Sequence, residues 1–235
     1  IENNASDEQK AKYLPKLVTG EHIGCMGMSE PEYGSDAVGI QTRAQKDGDH
    51  YLINGTKMWI TNAGFAKTFI VFAQLDGDKF TCFIVERDRE GVTFGAEEDK
   101  LGIKGSSTRQ VFFENVKIPT ENLLGEIGKG HLIAFNVLNI GRYKLGLLAV
   151  GGCKEGVRDA VKYANEREQF GLSISKFGAV QYKLAEMSIK TFANESAVYR
   201  TSGLIEDAIN NLVEGGMDPV EAKLAAADEY SIEAA

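Results

Sequence analysis

The stretch Ile127-Gly128-Lys129-Gly130-His131-Leu132-Ile133-Ala134-Phe135 divides the chain into two kinds of sequence. Upstream, short apolar runs alternate with polar residues and are punctuated by Gly, Asn and Asp. Downstream, apolar residues recur every three to four positions: Leu132, Phe135, Leu138 and Ile140, then Val157, Val161 and Ala164, and later Leu184, Met187, Ile189 and Phe192. Alternation by two is the period of a half-buried strand, and spacing of three to four is that of an amphipathic helix. The pattern predicts a β domain followed by a helical one.

Upstream, strands are expected at His22 to Met28, Val38 to Lys46, His50 to Asn54, Thr56 to Thr61, Lys67 to Leu75, Lys79 to Val85 and Gln110 to Asn115. The joints Asp47-Gly48-Asp49, Asn54-Gly55 and Asp76-Gly77-Asp78 carry hairpin chemistry, because Gly and Asn take positive φ readily. Such a series of short strands predicts a small antiparallel sandwich or barrel. Ahead of it, Ser6 and Gln9 have capping-box spacing at the start of a short helix that Pro15 ends or follows. Downstream, Gly141, Gly146, Gly151, Gly152 and Gly156 fall within or between the first two helical stretches. Each costs about 1 kcal/mol against Ala in a helix interior, which points to close approach by another helix or by a ligand. The acidic run from Glu214 to Ala235 reads as a solvated helix face. Its last residues, Tyr230 to Ala235, carry no capping glycine and read as a helix cut short.

Composition narrows the function classes. The 235 residues carry 26 Lys and Arg against 34 Asp and Glu, a formal net charge of -8, and 43% hydrophobic residues. That balance suits a soluble globular chain rather than a disordered one. It gives no counterion-release drive toward a phosphate backbone, so no nucleic-acid partner is expected. No apolar run approaches the ~20 residues of a membrane-spanning helix, so no transmembrane segment is expected either. Cys25, Cys82 and Cys153 are far apart, and His22, His50 and His131 are isolated. Neither a disulfide framework nor a metal site is expected. The glycine fingerprints of dinucleotide and P-loop sites are missing from the sequence.

Candidate chemistry gathers at strand ends. Met28-Ser29-Glu30-Pro31 closes the first strand and leads into Glu32-Tyr33-Gly34-Ser35-Asp36, a turn rich in hydroxyl and backbone donors. Met58-Trp59-Ile60-Thr61-Asn62 places the only Trp of the chain two residues before a hydroxyl. Residues two apart on a strand share a face, so Trp59 and Thr61 look into one space. An indole beside a hydroxyl suits a flat, hydrogen-bonding heteroaromatic ring. The same pair suits plain sheet core.

Four separated segments carry a resemblance. Gly27-Met28-Ser29-Glu30-Pro31 with Gly34-Ser35-Asp36, Asn54-Gly55-Thr56-Lys57-Met58-Trp59-Ile60-Thr61-Asn62, Lys100-Leu101-Gly102-Ile103-Lys104-Gly105-Ser106-Ser107-Thr108 running on to Phe113-Glu114-Asn115-Val116-Lys117-Ile118-Pro119, and Arg167-Glu168-Gln169-Phe170-Gly171 resemble the acyl-CoA dehydrogenase family. The helical half and Phe177-Gly178 look most like its very-long-chain branch and bacterial relatives.

The resemblance implies an α+β multidomain fold: the end of an N-terminal helical domain (1–20), a middle β domain (21–127) and a truncated four-helix bundle domain (128–235), with FAD between the last two. It implies that Met26, Gly27, Met28 and Ser29 line the flavin and that Trp59, Ile60 and Thr61 flank it, with Thr61 near the nitrogen that accepts hydride. Ser35 would lie beside the cofactor and where the family contacts the carrier of the CoA thioester. Asn139 and Arg142 would contact CoA. Arg167, with Phe170 beside it, would reach the FAD pyrophosphate of a neighbouring subunit in a homodimer or homotetramer. The implied reaction is α,β-dehydrogenation of a fatty acyl-CoA, with electrons passed to an electron-transfer flavoprotein. The implied location is bacterial cytoplasm or mitochondrial matrix.

The resemblance supplies no catalytic base. Most members place a glutamate beyond the position matching Ala235, and a minority place one on the first bundle helix, where this chain has Gly141. Glu155, Glu166, Glu168 and Glu186 match no such position. The 235 residues are therefore expected to be an internal fragment without turnover of its own. A catalytically silent scaffold protein of this family, or a cousin such as an acyl-CoA oxidase or nitroalkane oxidase, is the alternative.

Overall fold

In the computed structural model, which describes residues 1–231, Ser6 opens the first element. Its hydroxyl accepts from the Gln9 N–H at 3.2 Å, and the Gln9 side chain accepts from the Ser6 N–H at 3.0 Å. This capping box starts α1 (Asp7–Val18). Pro15 lies inside the helix rather than at its end. It removes one N–H but leaves its own carbonyl free, and the Thr19 N–H closes the last turn onto it at 3.2 Å.

Eight strands follow: β1 (Gly24–Gly27), β2 (Arg43–Asp47), β3 (His50–Thr61), β4 (Thr68–Leu75), β5 (Lys79–Glu86), β6 (Val92–Glu97), β7 (Thr108–Pro119) and β8 (Leu123–Leu124). They form one hydrogen-bonded sheet in the order β6-β7-β3-β2-β4-β5-β8, with β1 also paired to β4. Two pairings depart from the all-antiparallel expectation. β1 runs parallel to β4 at Thr68 to Val71, and β2 runs parallel to it at Gln74 and Leu75. Both strands therefore divide one edge of β4, and the chain between them, 28–42, leaves the sheet and returns in the same direction.

Asp47-Gly48-Asp49 and Asp76-Gly77-Asp78 do turn β2 into β3 and β4 into β5. Asn54-Gly55 does not make a hairpin. It lies within β3, at a register shift against β7. Gly55 has φ 153°, and a Cβ there would come within 2.7 Å of Thr42 Cα. The dipeptide serves a bulge and a close strand crossing instead of a turn. Ile53, Val71, Phe83, Val111 and Ile118 fill the core between the strands.

The chain forms two compact units, the second beginning at Phe135. α2 (Gly130–Glu166) starts in the sheet unit, where a Cβ on Gly130 would meet the Phe80 carbonyl oxygen at 3.0 Å. Within the second unit, α2 and α3 (Gly178–Glu214) run antiparallel, shown by Gly146 opposite Val198 and by the Lys154–Glu195 ion pair at 2.7 Å. All five interior glycines fall in the single helix α2, and of these only Gly146 faces a neighbour within 4 Å among the described residues. The described acidic residues of the C-terminal run, Glu214, Asp218, Glu221, Asp228 and Glu229, are exposed as a solvated face requires, but the run is not one continuous helix. It breaks at Gly215-Gly216 and resumes as α4 (Pro219–Glu229), capped by the Asp218 carboxylate and burying Ala222, Ala226 and Ala227. α4 ends at Glu229 with Tyr230 as its C-cap; residues 232–235, on which most of the expected cut helix end falls, and the side chain of Ile140 lie outside the described residues.

One carboxylate fastens α1 to the sheet. Glu86 accepts from Lys12 (3.0 Å), Tyr13 (2.6 Å), Arg89 (2.6 Å) and Asn122 (3.0 Å). Burial opposes its charge, but the donors, led by Arg89, outweigh burial and hold its carboxyl at about 2 instead of 4.5. Because the folded value is the lower, this stabilisation is present above pH 4.5 and is lost as pH falls toward 2. Thermal melts across that window should show the loss, and Glu86→Gln should flatten it. An unchanged acid slope in the variant would exclude the role.

Candidate functional site

Trp59 stands at a bulge. Between the pairs Lys57↔Val111 and Ile60↔Arg109, β3 spends one residue more than β7, and Trp59 takes φ 61°. Positive φ is unusual for so bulky a residue and marks a conformation that its surroundings must impose. Trp59 is 57% exposed, Thr61 is exposed, and Ile60 between them is buried in the core. Trp59 and Thr61 therefore share the open face, and the reading of this pair as sheet core is overturned. The Ile60 side chain belongs to the core, so any part it takes in a ligand site falls to its backbone.

The surroundings that impose this geometry come partly from another motif, through Ser107, and partly from residues outside the motifs. Asn62, at φ 67°, donates its N–H to the Ser107 carbonyl at 2.9 Å and its amide to the Gly24 carbonyl at 3.3 Å. The Gly64 N–H donates to the Ser107 hydroxyl at 2.9 Å. Glu97 in turn accepts from the Ser107 hydroxyl, the Thr108 N–H and Arg109, at 2.7, 3.0 and 2.7 Å. Arg109, the largest influence, and these neighbours hold the Glu97 carboxyl at about 2. Arg87 donates to the Ala63 and Ala66 carbonyls at 2.7 and 3.2 Å while its guanidinium lies 3.9 Å over the Phe94 ring.

The segment Met26 to Ser29 lies alongside. The Met58 N–H donates to the Ser29 carbonyl at 2.9 Å, placing half-buried Ser29 next to the bulge. Gly27 leaves room for the Lys57 stem, whose Cγ would sit 3.4 Å from a Cβ there. Met28 is buried, and its carbonyl accepts from Lys57 Nζ at 3.1 Å. Lys57 Nζ also meets Glu30 at 2.8 Å, with the two side chains 0% and 5% exposed. Burial pulls the ammonium down to about 8 against the hydrogen bond and charge of Glu30. Burial works the other way on Glu30, yet Lys57 and the Thr42 and Gln41 N–H groups hold its carboxyl below the usual range. The sequence gives these two residues no role, since their partnership spans 27 positions. Asn62, Arg87 and Glu97 are likewise visible only once the strands are paired.

Ser35 is exposed in the loop beyond Glu30. The other candidates belong to the helical unit. Asn139 is buried, accepts a hydrogen bond from exposed Arg142 one turn on, and lines a cleft with Tyr143, Glu206 and Lys223. Arg167 leads into a two-stranded hairpin, Glu168–Gln169 with Leu172–Ser173. Phe170 and Gly171 at its tip both have positive φ, as a two-residue type I′ turn requires. Phe170 is 93% exposed there, so the hairpin presents an aromatic ring outward.

These contacts make Asn62 a backbone hinge as well as a donor. Asn62→Gly should keep the left-handed backbone and lose only the amide bond, whereas Asn62→Val should cost about 1–3 kcal/mol more through strain. Thermal melts and the near-UV circular dichroism of the protein check the order, and equal effects would reject it.

Comparison with known proteins bears on the family of the chain. Residues 25–116 match the acyl-CoA dehydrogenase middle domain and residues 128–230 its C-terminal domain. A probable acyl-CoA dehydrogenase of Bacillus subtilis is 48% identical over 97% of this chain, and the human mitochondrial very long-chain specific acyl-CoA dehydrogenase is 42% identical over 83%. The chain spans 39% and 31% of the lengths of those relatives. It superimposes, with a TM-score of 0.91 and 52% identity, on the acyl-CoA dehydrogenase of Bacillus anthracis crystallised with FAD, covering 97% of this chain and 40% of that one. The chain belongs to the acyl-CoA dehydrogenase family.

Proposed function

We propose that the full-length protein holds FAD and oxidises fatty acyl-CoA thioesters to trans-2-enoyl-CoA. The observation that carries this reading is the open Trp59 and Thr61 face beside Ser29, an aromatic plane and two hydroxyls kept out of the core. That donor set fits a flavin. When bound, FAD supplies the acceptor for the β-hydrogen as hydride while a base takes the α-proton.

Trp59 offers its indole face to the ring, and Thr61 a hydroxyl near the hydride-accepting edge. Ser29 and the N–H groups around it stabilise the electron density that reduction adds. Met26, Gly27 and Met28 complete that wall, largely through backbone. Asn139 and Arg142 bind CoA, the guanidinium suiting its phosphates, and Ser35 meets the thioester's carrier arm. Arg167 and Phe170, on their hairpin, reach the FAD pyrophosphate of a neighbouring subunit, in a homodimer or homotetramer. The base is assigned to no residue here, so residues 1–235 alone are proposed not to turn over. The same reading keeps the domain division at 1–20, 21–127 and 128–235. It sends electrons to an electron-transfer flavoprotein in bacterial cytoplasm or mitochondrial matrix. Among the described residues, no helix is long and apolar enough to cross a membrane.

The test is anaerobic titration of the full-length protein with fatty acyl-CoAs of increasing length. The protein should be yellow and its flavin band should bleach. Thr61→Ala should stay yellow and bleach about tenfold more slowly or worse, the scale of one lost hydrogen bond to developing charge. A wild-type flavin that stays oxidised across the panel would sink the proposal, and fast reoxidation by O₂ alone would move it to the oxidases.

A further inference from the structure

The buried Glu30–Lys57 pair lies where β1 leaves the sheet. The Glu30 carboxylate accepts from the N–H groups of Gln41 (2.6 Å) and Thr42 (3.0 Å), where the chain returns to the sheet. Lys57 holds Glu30 with one N–H and the Met28 carbonyl with another. Departure and return of the 28–42 segment are thus tied to one ion pair, and the next residue after the Met28 carbonyl is Ser29. Stability alone does not account for two buried charges here. Replacing such a pair by well-packed apolar residues is often neutral or stabilising, whereas removing one partner strongly destabilises. What an apolar pair could not do is fix the direction of a particular carbonyl and two particular N–H groups.

We propose that Glu30 and Lys57 are positioning residues for the cofactor wall: they set the backbone of Met28 and Ser29 so that the Ser29 hydroxyl and its neighbouring N–H groups meet the edge of a bound flavin. The inference rests on the FAD reading above. Neither residue touches the cofactor. Both act through the main chain of the segment between them, and through Met58, whose N–H is fixed on the Ser29 carbonyl. Because Lys57 and Met58 are adjacent in β3, the same strand that carries Trp59 and Thr61 also holds the opposite wall in register.

The experiment compares full-length wild type with Glu30→Gln, Lys57→Met and the double variant, measuring melting temperature, FAD dissociation and the visible circular dichroism of the bound flavin. Lys57→Met, with its carboxylate left unpaired, should melt lowest, and the double variant should recover much of that loss. FAD should dissociate about tenfold more readily or worse from Glu30→Gln and the double variant, the scale of a lost charge-assisted hydrogen bond. Their flavin dichroism should differ from wild type. Variants that bind FAD with wild-type affinity and dichroism would overturn the positioning role and leave the FAD reading intact. A folded wild type that binds no FAD would instead overturn the FAD reading. If none of the three variants folds, the pair is a requirement of the fold alone, and the positioning role is overturned.

Discussion

The Glu30–Lys57 ion pair stands at the point on which the sheet unit turns, the gap between β1 and β2 along one edge of β4. A chain leaving a sheet there exposes carbonyls and N–H groups to a core that offers no water, and each must find a partner. Lys57 takes the Met28 carbonyl, and Glu30 takes two N–H groups at the return. Desolvating the two charges costs several kcal/mol per ion, and breaking one of them out of such a pair costs about 3–5 kcal/mol. The four hydrogen bonds formed around them offset that penalty only while the geometry is kept. A shift of the 28–42 segment would leave a buried charge unmatched, and so the segment has one position rather than several.

The Trp59 bulge is held by a different logic. Its left-handed backbone costs on the order of 1–3 kcal/mol, and no single bond offsets it. Asn62 ties the end of the strand to both Ser107 and Gly24, Gly64 adds a bond to Ser107, and Arg87 clamps two carbonyls of the following turn. Glu97 then fixes Ser107 itself. The segment from Lys100 to Thr108 is far from Trp59 in sequence, yet one end of it supplies the acceptors that hold the bulge. Family motifs that look like separate features are opposing sides of a single corner.

That corner was partly legible from sequence. Trp59 and Thr61 are both exposed with buried Ile60 between them, so period-two alternation holds over these three residues although the bulge breaks it between Lys57 and Ile60. The local turns at Gly48 and Gly77 were legible because a turn is decided by the residues that make it. Asn54-Gly55 has the same local chemistry, but its role is decided by Thr42, a strand away, and it was misread as a hairpin. Pro15 was misread because the penalty of a proline in a helix falls on the preceding turn and leaves the following one free to close. β6 escaped notice: its Val92-Thr93-Phe94-Gly95-Ala96-Glu97 run has a glycine where alternation asks for a side chain, and Gln110 of β7 packs at that gap. The Glu30–Lys57 pair was illegible in principle, since two charged residues in polar-looking motifs read as surface until the strands bring them together.

The two units differ in how they are held. In the sheet unit, Phe69, Val71, Phe83 and Val85 are fully enclosed by strands on the same sheet. Truncating such a side chain leaves a cavity and costs about 3–5 kcal/mol for a phenylalanine. In the helical unit, Leu148, Ile189 and Phe192 lie open, although their spacing is that of a buried stripe. Periodicity identified the helices because it reports which residues would be covered, not what covers them. Among the described residues, the groups buried in this unit are Asn139, Val150 and Ala164 on α2 and Ala222, Ala226 and Ala227 on α4, most of them alanines. Small residues set how closely backbones approach and contribute little area at ~25 cal/mol per Å². The sheet unit, by contrast, has a dense core that can hold a left-handed Trp59 and a buried ion pair in place.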